Sequence, residues 1–372
     1  MDAVIIGGGA SGIACAIRLK QGLPECNVTV LEHLEEPCKK LYATGNGRCN
    51  ITNTAADGYN ITRSFFESIG LVLRESREGR MYPYSNQASS VVNVLAHACK
   101  TYGVNIVTEC NAYKAEKLGG QFNIFTSKGV FTSDVLVLAC GGKSQKNLGS
   151  DGSGYELAKS FSHTVTPLFP ALVQLVSSSK HCRALKGIRT KCLLKIEVNS
   201  EIMASETGEL LFADYGISGI VTMNLSKFVS DERLSSGKDK CVAIIDFAPD
   251  LSERELKEHI EKYGSLDGVL PSKLCSILSK QALGDTDKIV KYAKNWRIII
   301  TGTKGYSFAQ ITGGGVDLNE LKETGESKKV DSLYITGELC DAQFECGGFN
   351  LDYAFSSGVK AADSIINSYD KN

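Results

Sequence analysis

The chain begins with an apolar run, a glycine-rich turn and an amphipathic segment. Residues 4–12 read VIIGGGASG, and ACAIRLK follows with the character of a helix. This order predicts a buried β-strand, a tight turn and a helix. A second apolar run, NVTVLE, ends at Glu32 and predicts a second strand. The opening segment therefore indicates a strand–helix–strand unit of an α/β fold.

Mixed patterns follow in the next part of the chain. Residues 89–102, SSVVNVLAHACKTY, space apolar side chains by three and four, and Gly103 is a helix stop. Three short alternating runs, VNIVTE, FNIFTS and FTSDVLVLA, are separated by turn residues. They predict a small antiparallel meander that leads into a buried strand ending at Gly141 and Gly142. Residues 149–161 predict another glycine-rich turn that opens a helix.

The pattern changes between about residues 167 and 307. KCLLKIEVNSEIMASETGELLF alternates like a β-hairpin, and DLSERELKEHIEKYG predicts a helix with Ser252 and Glu255 as its capping box. Further helices are predicted over 272–281 and 287–296. None of these elements continues a nucleotide-binding pattern, so we predict an α+β insert domain.

The closing segment, from LYITGELC onward, predicts another buried strand, a glycine-rich loop and a long helix. It returns the chain to the first domain. The predicted fold class is therefore α/β: a Rossmann-like nucleotide-binding domain with a β-meander, interrupted by an α+β insert domain. The predicted boundaries give a discontinuous first domain, 1–166 and 308–372, and an insert domain, 167–307.

The turn after the first strand carries the first candidate chemistry. Gly7, Gly9 and Gly12 have G-x-G-x-x-G spacing. Gly7 allows the tight turn, Gly9 lets the backbone approach a pyrophosphate, and Gly12 lets the helix pack on the sheet. Glu32 stands at the end of the next strand, where such folds place a ribose-binding carboxylate. Since a carboxylate there repels a 2′-phosphate, the site favours FAD or NAD over NADP.

Composition narrows the class of protein. The 41 Lys and Arg residues nearly balance the 42 Asp and Glu residues, which argues against a surface that binds nucleic acid throughout. No charged-then-apolar leader and no apolar run of roughly 20 residues is present. We therefore expect a soluble cytoplasmic protein with no membrane partner. The 13 cysteines include no C-x-x-C and no zinc-finger spacing, so we expect reduced thiols and no metal site.

Glycine-rich turns recur along the chain, at residues 45–53, 141–154 and 347–348. A dehydrogenase that uses NAD alone would bind its cofactor largely with residues from one half of the chain. The spread of these turns suits a more extended cofactor. No second G-x-G-x-x-G is present, so a nicotinamide would bind transiently or another reductant would serve.

Several longer blocks resemble a known family. In order, they are GGGASG, KLYATGNGRCNITN, GSDGSGYELA, FADYGISG, ITGGGVDL and TGELCDAQFECGGFNLDYAFSSG. They are similar to the bacterial FAD-dependent oxidoreductases labelled aminoacetone-oxidase-like, which include a bile-acid-inducible reductase. The resemblance implies a glutathione-reductase-type FAD domain, an insert domain, and a substrate that reaches the flavin between them. Members have been linked to reduction of conjugated C=C bonds in steroid-like molecules, and others to reduction of uridine in ribosomal RNA.

Carried over to this sequence, the resemblance implies a set of residues that hold non-covalent FAD. The set is Gly7, Gly9, Ala10, Ser11, Gly12, Glu32, Lys40, Gly45, Asn46, Arg48, Cys49, Asn50, Gly141, Gly142, Gly337, Glu338, Gly347, Gly348, Phe349 and Asn350. Two positions depart from the family pattern. Ile220 stands where a proline is usual. Phe349 stands where a tyrosine is usual, and the missing phenol would alter the hydrogen bonding at the pocket without abolishing FAD binding.

Three residues are candidates for proton donation opposite the flavin: Cys49, Tyr215 and Cys346. Each has an alternative. For Cys49 the favoured interpretation is a packed thiol near the ring, whereas Tyr215 is equally interpreted as part of a capping loop. Cys346 and Cys340 could instead form a redox pair.

The leading functional hypothesis is an FAD-dependent reductase. It would transfer hydride from NAD(P)H through flavin N5 to an activated double bond of a small, rather apolar molecule. The alternative is a uridine reductase acting on rRNA, for which KHCRALKGIRTK and the lysines between 273 and 304 would form a basic face. An amine oxidase and a non-catalytic redox-sensing flavoprotein are further alternatives. The sequence leaves the oligomeric state open.

Overall fold

The computed structural model describes residues 1–369, which form two compact units. One unit combines residues 1–168 with the chain from residue 311 onward, and the other contains residues 169–310. The predicted domain boundaries, after residues 166 and 307, lie close to these divisions. That each part folds as an independent domain stays a prediction.

The helices and strands follow one another in three segments. Residues 1–168 contain β1 Asp2–Ile6, α1 Ala10–Gly22, β2 Asn27–Leu31, β3 Thr52–Asn53, α2 Tyr59–Ser68, β4 Leu73–Glu75, β5 Arg80–Pro83, α3 Ala88–Tyr102, β6 Asn105–Val107, β7 Ala112–Leu118, β8 Gln121–Thr126, β9 Gly129–Ser133, β10 Val135–Leu138 and α4 Ser153–Ser160. Residues 169–310 contain β11 Phe169–Ala171, β12 Leu175–Val176, α5 Lys180–Ala184, β13 Arg189–Val198, β14 Glu201–Ala213, β15 Gly216–Ser218, α6 Ile220–Leu225, α7 Asp231–Ser235, β16 Cys241–Asp246, α8 Glu253–Tyr263, α9 Ser272–Ala282, α10 Thr286–Lys294, β17 Trp296–Ile300 and β18 Gly302–Thr303. The closing segment contains β19 Ile311–Gly313, β20 Leu333–Ile335 and α11 Phe349–Tyr369.

A five-stranded parallel sheet lies at the centre of the first unit, in the order β20-β10-β1-β2-β6. This is the strand order of dinucleotide-binding folds, which switches direction between β1 and β10. Ile6 at the end of β1 lies between Leu31 of β2 and Leu138 of β10. The turns that follow these strands therefore meet at the carboxyl edge of the sheet, where such folds bind ligands.

The two faces of this sheet are covered differently. Ala3 and Ile5 belong to a core that also contains apolar side chains of α1, α3 and α11. Val4 and Ile6 belong to a second core, formed with α4 and with strands β7 and β8. Helices α1 and α11 pack so closely that only a glycine fits at position 358. A Cβ on Gly358 would lie 2.2 Å from the Ser11 carbonyl oxygen. The predicted α/β fold class, with its Rossmann-like sheet and β-meander, is confirmed.

One strand of the meander was assigned wrongly from the sequence. VNIVTE contains β6, which pairs in parallel with β2 of the central sheet. The meander consists of β7, β8 and β9 instead. Strand β7, AYKAEKL, buries only the small side chains of Ala112 and Ala115, so it carries almost no hydrophobic signal.

The second unit has a seven-stranded sheet in the order β17-β16-β13-β14-β15-β12-β18. Its pairings are antiparallel, and β13 and β14 form the predicted hairpin. The predicted capping box of Ser252 and Glu255 begins α8. The helix predicted over 287–296 ends earlier, at Lys294, because Trp296 is buried as the first residue of β17.

Two general properties of the described residues bear on function. Among residues 1–369, no helix is both long enough and apolar enough to cross a bilayer. The same part of the chain contains no group of His, Cys, Asp and Glu side chains placed to hold a metal ion.

Candidate active site

The turn between β1 and α1 is closed by packing on one side and open on the other. Gly7 has a φ of +108°, and a Cβ there would lie 2.3 Å from the Ala139 carbonyl oxygen. A Cβ on Gly12 would lie 2.0 Å from the Gly7 carbonyl oxygen. Among the described residues, a Cβ on Gly9 would meet no atom within 4 Å. The packing of the protein itself therefore requires Gly7 and Gly12, whereas Gly9 borders open space.

Helix α1 begins beside this open space. Gly9 is its N-cap residue, and no side chain of the described chain caps it. The first turn, which starts at Ala10, contains no acidic residue. The Ser11 hydroxyl donates to the Thr336 hydroxyl at 2.7 Å, so it leaves the backbone N–H groups of the turn uncapped. Uncapped N–H groups at a helix N-terminus bind phosphate oxygens, so this turn fits a pyrophosphate.

Glu32 lies next to this turn, directly after β2. Its Oε2 accepts the Gly8 N–H at 2.9 Å, and its Oε1 accepts the Leu34 N–H at 2.8 Å. Burial would raise the pKa of Glu32, but hydrogen bonds from His33, Leu34 and Gly8 outweigh burial and lower it. The side chain is therefore an ionised carboxylate. Since a carboxylate has about four acceptor positions and these three donors occupy three, it keeps about one for a ribose hydroxyl.

Lys40 and Glu338 form an ion pair at the carboxyl edge of the sheet, with Nζ and Oε2 2.8 Å apart. The other Glu338 oxygen, Oε1, accepts the Thr312 N–H at 3.0 Å. A Cβ on Gly142 would lie 2.5 Å from both this oxygen and the Thr312 hydroxyl. Gly142 is therefore a point of close approach between loops. Because Lys40 already has a carboxylate partner, its charge is shared between Glu338 and any phosphate it binds.

Thr312 is a site residue that we did not single out from the sequence. Its hydroxyl accepts the backbone N–H groups of Lys143 and Ser144 at 2.7 and 2.9 Å. It thereby fixes the loop that follows β10, which also contains Gly141. The block ITGGGVDL, quoted above for the resemblance, contains this residue, but a lone threonine before glycines carries no separate signal.

The segment after Lys39 bends sharply. Four residues close together in this segment have positive φ: Gly45, Asn46, Gly47 and Cys49. Positive φ is uncommon for residues other than glycine and is often found at functional sites. The exposed Arg48 side chain closes the turn, since its Nε donates to the Gly45 carbonyl oxygen at 3.1 Å and its guanidinium lies 4.7 Å from the Tyr82 ring centroid.

The loop before α11 packs against this segment. A Cβ on Gly348 would lie 2.6 Å from the Thr52 carbonyl oxygen and 3.0 Å from the Asn50 Oδ1. That Asn50 oxygen is buried and has no hydrogen-bond partner among the described residues. A buried acceptor without a donor is uncommon in proteins. The pair of loops therefore presents a polar atom that a bound molecule could satisfy.

Other residues of the loop have structural partners. The Asn350 amide accepts the Phe344 N–H and donates to the Phe344 carbonyl oxygen, both at 3.0 Å. Its side chain therefore closes the loop. Gly337 lies near α1, since a Cβ there would lie 2.9 Å from the Ser11 Cβ. Gly347 precedes Gly348 in the loop that packs on residues 50–52, and Phe349 is the first residue of α11.

Asp352 is a second residue that sequence reasoning missed. It is buried in the first turn of α11 and accepts the Thr52 hydroxyl at 2.6 Å. Burial raises its pKa, against the effect of the hydrogen bonds it accepts. The contact ties the N-terminus of α11 to the strand that follows Cys49 and Asn50. Because 300 positions separate the two residues in sequence, the pattern of the chain does not reveal it.

The three catalytic candidates have different surroundings. Cys49 is fully buried, and burial raises the pKa of its thiol to about 12. Cys346 is half-buried in the loop before α11. Tyr215 belongs to the other unit, in the turn between β14 and β15, where its carbonyl oxygen accepts the Ser177 N–H at 2.8 Å. None of the 13 cysteines, all of which lie within the described residues and include Cys340 and Cys346, is joined in a disulfide.

We expect Cys49→Ser to keep FAD and to change kcat by no more than about three-fold, because a buried thiol with a raised pKa is a weak proton donor. Steady-state kinetics of the purified variant measures this. Loss of a true general acid costs roughly 100-fold or more. A fall of that size with FAD retained would identify Cys49 as the donor, and Cys346→Ser in parallel tests the second thiol.

The geometry of the first unit fits FAD. It offers uncapped N–H groups at α1 for a pyrophosphate, the ionised Glu32 for a ribose, and the orphaned Asn50 oxygen beside the loop that starts α11. A bound FAD would supply two-electron transfer between a donor and an acceptor. The individual contacts of the predicted residues with FAD stay predictions.

Comparison with known proteins gives the same assignment. The family described as HI0933-like protein Rossmann domain matches residues 1–63 and 58–364. The 3-dehydro-bile acid delta(4,6)-reductase of Clostridium scindens is 36% identical over an alignment of 400 residues, gaps included. The alignment covers 96% of this chain and 97% of that protein. The ribosomal RNA dihydrouridine synthase of Escherichia coli is 26% identical, with 98% of each chain covered.

Solved structures are similar in fold. The 3-ketosteroid delta1-dehydrogenase of Sterolibacterium denitrificans has a TM-score of 0.56 at 11% identity, with 99% of each chain covered. A flavocytochrome c3 fumarate reductase has a TM-score of 0.53 at 13% identity, covering 98% of this chain and 78% of that one. At such identities these likenesses show the fold alone. The resemblance drawn from the sequence blocks is confirmed: the chain belongs to the HI0933-like family and is an FAD-dependent oxidoreductase.

Proposed function

We propose that this chain reduces an activated C=C bond in a small, largely apolar, steroid-like enone, with NADH or NADPH as the electron donor. The observation that carries the proposal is the 36% identity, over nearly the full length of both chains, to a 3-dehydro-bile acid delta(4,6)-reductase. A double bond conjugated to a ketone is electron-poor at its far carbon, so it accepts a hydride readily. This chemistry needs no metal.

The residues of the first unit are proposed to hold FAD by its two ends. The N–H groups of α1 beside Gly9 bind the pyrophosphate, and Glu32 accepts hydrogen bonds from the ribose. The loop at 45–50 and the loop at 347–350 lie against the isoalloxazine, where the Asn50 Oδ1 accepts a hydrogen bond. Support for the second placement comes from the contact between these loops and from the unpartnered oxygen.

The proton that completes the reduction must come from a side chain or from water. Tyr215 and Cys346 stay the proposed donors. Phe349 carries no hydroxyl, so it cannot serve. Cys49 is disfavoured, because burial raises the pKa of its thiol to about 12.

The alternative substrate, uridine in rRNA, has weaker support. The relatives with that name are 26% and 27% identical to this chain. The basic segment that would contact RNA is largely paired with acids: Lys186 with Asp214 at 2.7 Å and Lys191 with Asp250 at 2.9 Å. Arg189 pairs with Glu209 in the same way. Paired cations contribute less to phosphate binding than free ones, so these three pairs reduce the positive charge that the segment offers to RNA.

Anaerobic stopped-flow spectroscopy tests the proposal. The oxidised holoenzyme is mixed with NADH or NADPH and loss of the visible flavin absorbance is followed. Either a 3-oxo-Δ4 steroid or an unmodified rRNA fragment is then added to the reduced enzyme. We expect rapid bleaching by one nicotinamide and reoxidation by the steroid, with the saturated ketone as product.

Each other outcome contradicts the proposal in a defined way. Reoxidation by the rRNA fragment alone would assign the chain to the uridine reductases. Bleaching by an amine, with peroxide formed in air, would assign an amine oxidase. Absence of bleaching with both nicotinamides would exclude NAD(P)H as the donor.

A further inference from the structure

The imidazole of His33 is held between Glu32 and the loop that follows β10. His33 directly follows Glu32 in the chain, and its Nδ1 lies 3.2 Å from the Glu32 Oε1. The same ring approaches the loop after β10, because a Cβ on Gly149 would lie 3.5 Å from the His33 Cε1. His33 is half-buried. Two separate segments therefore fix the ring beside the carboxylate that is proposed to bind the ribose.

Two carboxylates from different elements act on the His33 ring. Glu32, directly after β2, accepts a hydrogen bond from it, and Asp151, in the loop between β10 and α4, attracts its positive charge. The hydrogen bond to Glu32 and the two negative charges raise the pKa of His33 above the ordinary value of 6.5, although burial opposes them. Lys146 of the same loop acts on Asp151. His33 therefore stays protonated to a higher pH than an ordinary histidine.

The proposed FAD site brings like charges close together. The Glu32 Oε2 accepts the Gly8 N–H at 2.9 Å, and the next residue, Gly9, is the N-cap of α1, where the pyrophosphate is proposed to bind. The pyrophosphate of FAD carries two negative charges, so an ionised Glu32 repels it. The first turn of α1 contains no basic side chain, and Lys40 at the same edge of the sheet already has a carboxylate partner. His33 is a cation in direct contact with the repelling carboxylate.

We propose that protonated His33 neutralises Glu32 and thereby allows an acidic ribose site to hold a dianionic cofactor. The inference rests on the placement of the FAD ribose and pyrophosphate given under the proposed function. The Glu32 carboxylate keeps its acceptor position for a ribose hydroxyl, while the imidazolium cancels its charge. FAD binding is then linked to a proton on His33. The affinity is highest where the imidazolium is populated, and it falls as the pH rises through the raised pKa of His33.

The experiment measures the FAD dissociation constant at about pH 6 and at about pH 9, on the two sides of the histidine titration. Holoenzyme is serially diluted, and the free FAD in an ultrafiltrate is quantified. The variants are His33→Gln, His33→Lys and the matched control His97→Gln, which changes an exposed histidine of α3 in the same unit. A glutamine keeps a hydrogen-bond donor for Glu32 without the charge, whereas a lysine keeps the charge at both pH values. Circular dichroism checks the fold of each variant at each pH.

We expect the FAD dissociation constant of the wild type to rise about five-fold from the lower to the higher pH, as loss of one partly screened charge interaction does. His33→Gln should bind FAD at both pH values as weakly as the wild type does at the higher one. His33→Lys should keep the stronger, low-pH affinity at both. His97→Gln should reproduce the wild-type change with pH.

A wild-type affinity that does not change with pH, or a change that persists in His33→Gln, would overturn the role of His33. So would equal losses in His33→Gln and His33→Lys at both pH values, which indicate that the ring only supports the loop. The measurement needs neither substrate nor nicotinamide, so its result is separate from the proposed reduction. If Glu32→Gln and Gly9→Val bind FAD like the wild type, the proposed placement of FAD fails. If those two lose FAD while His33→Gln keeps the wild-type pH profile, the role of His33 alone fails.

Discussion

Replacing Gly9 by valine is expected to weaken FAD binding strongly while leaving the fold of the first unit intact. The backbone at Gly9 has φ −82° and ψ −170°, an extended conformation that any residue adopts. A Cβ there would meet no atom of the described chain within 4 Å. The protein therefore has room for the side chain, but the side chain would occupy the space beside the N–H groups of α1, where the pyrophosphate is proposed to bind.

We expect the FAD dissociation constant of Gly9→Val to rise at least about 100-fold, which corresponds to roughly 2.7 kcal/mol. Fluorescence titration of the apoprotein measures it, and far-UV circular dichroism with urea unfolding checks the fold. Gly12→Val is the contrasting variant: its Cβ would lie 2.0 Å from the Gly7 carbonyl oxygen, so it should lose stability even without FAD. If Gly9→Val binds FAD with wild-type affinity, the cofactor is held elsewhere.

The parts of the fold that the sequence predicted are those determined locally. The strand–turn–helix unit follows from apolar periodicity and from glycine spacing; packing within the protein requires Gly7 and Gly12, whereas Gly9 borders open space. Glu32 was found because the length of a strand–helix–strand unit is nearly constant. The helix over 89–102 and the capping box at Ser252 depend on residues within one or two turns of each other.

The parts that it did not predict depend on contacts between distant segments. Lys40 and Glu338 were both expected to face the cofactor, but their pairing with each other joins residues 298 positions apart. The contact between Thr52 and Asp352 spans 300 positions. Local patterns carry no information on such pairs. The same reason explains β7: its buried side chains are the alanines Ala112 and Ala115, which do not alternate, and only its pairing with β8 identifies it as a strand.

The roles of individual polar side chains could not be predicted from the sequence either. Asn350 was expected near the ring, and its amide closes the loop between Phe344 and α11. Cys49 and Asn50 are neighbours in sequence, yet one is a buried thiol at positive φ and the other carries an unpartnered oxygen. Residue type alone indicates what a side chain can do, whereas burial and partners decide what it does.

Glu32→Gln is expected to weaken FAD binding and to destabilise the apoprotein. The carboxylate accepts the N–H groups of Gly8 and Leu34 with separate oxygens. A glutamine has one carbonyl oxygen, so its NH₂ group would face a second donor. An unsatisfied buried hydrogen-bonding group costs about 1–3 kcal/mol. We therefore expect a loss of about 2 kcal/mol in the free energy of unfolding and an FAD dissociation constant raised at least about ten-fold.

The pH dependence of stability gives Glu32 a distinct signature. Its hydrogen bonds lower its pKa in the folded protein below the ordinary value of 4.5. The stabilisation that it contributes is therefore complete above pH 4.5 and declines as the pH falls through the folded pKa, because the unfolded chain takes up the proton first. Urea unfolding of the apoprotein across this range should show a steeper acid loss for the wild type than for Glu32→Gln. Glu35→Gln, which changes an exposed carboxylate in the same loop, should follow the wild type in both stability and FAD affinity. If Glu32→Gln also follows the wild type, Glu32 neither supports the turn nor holds the ribose.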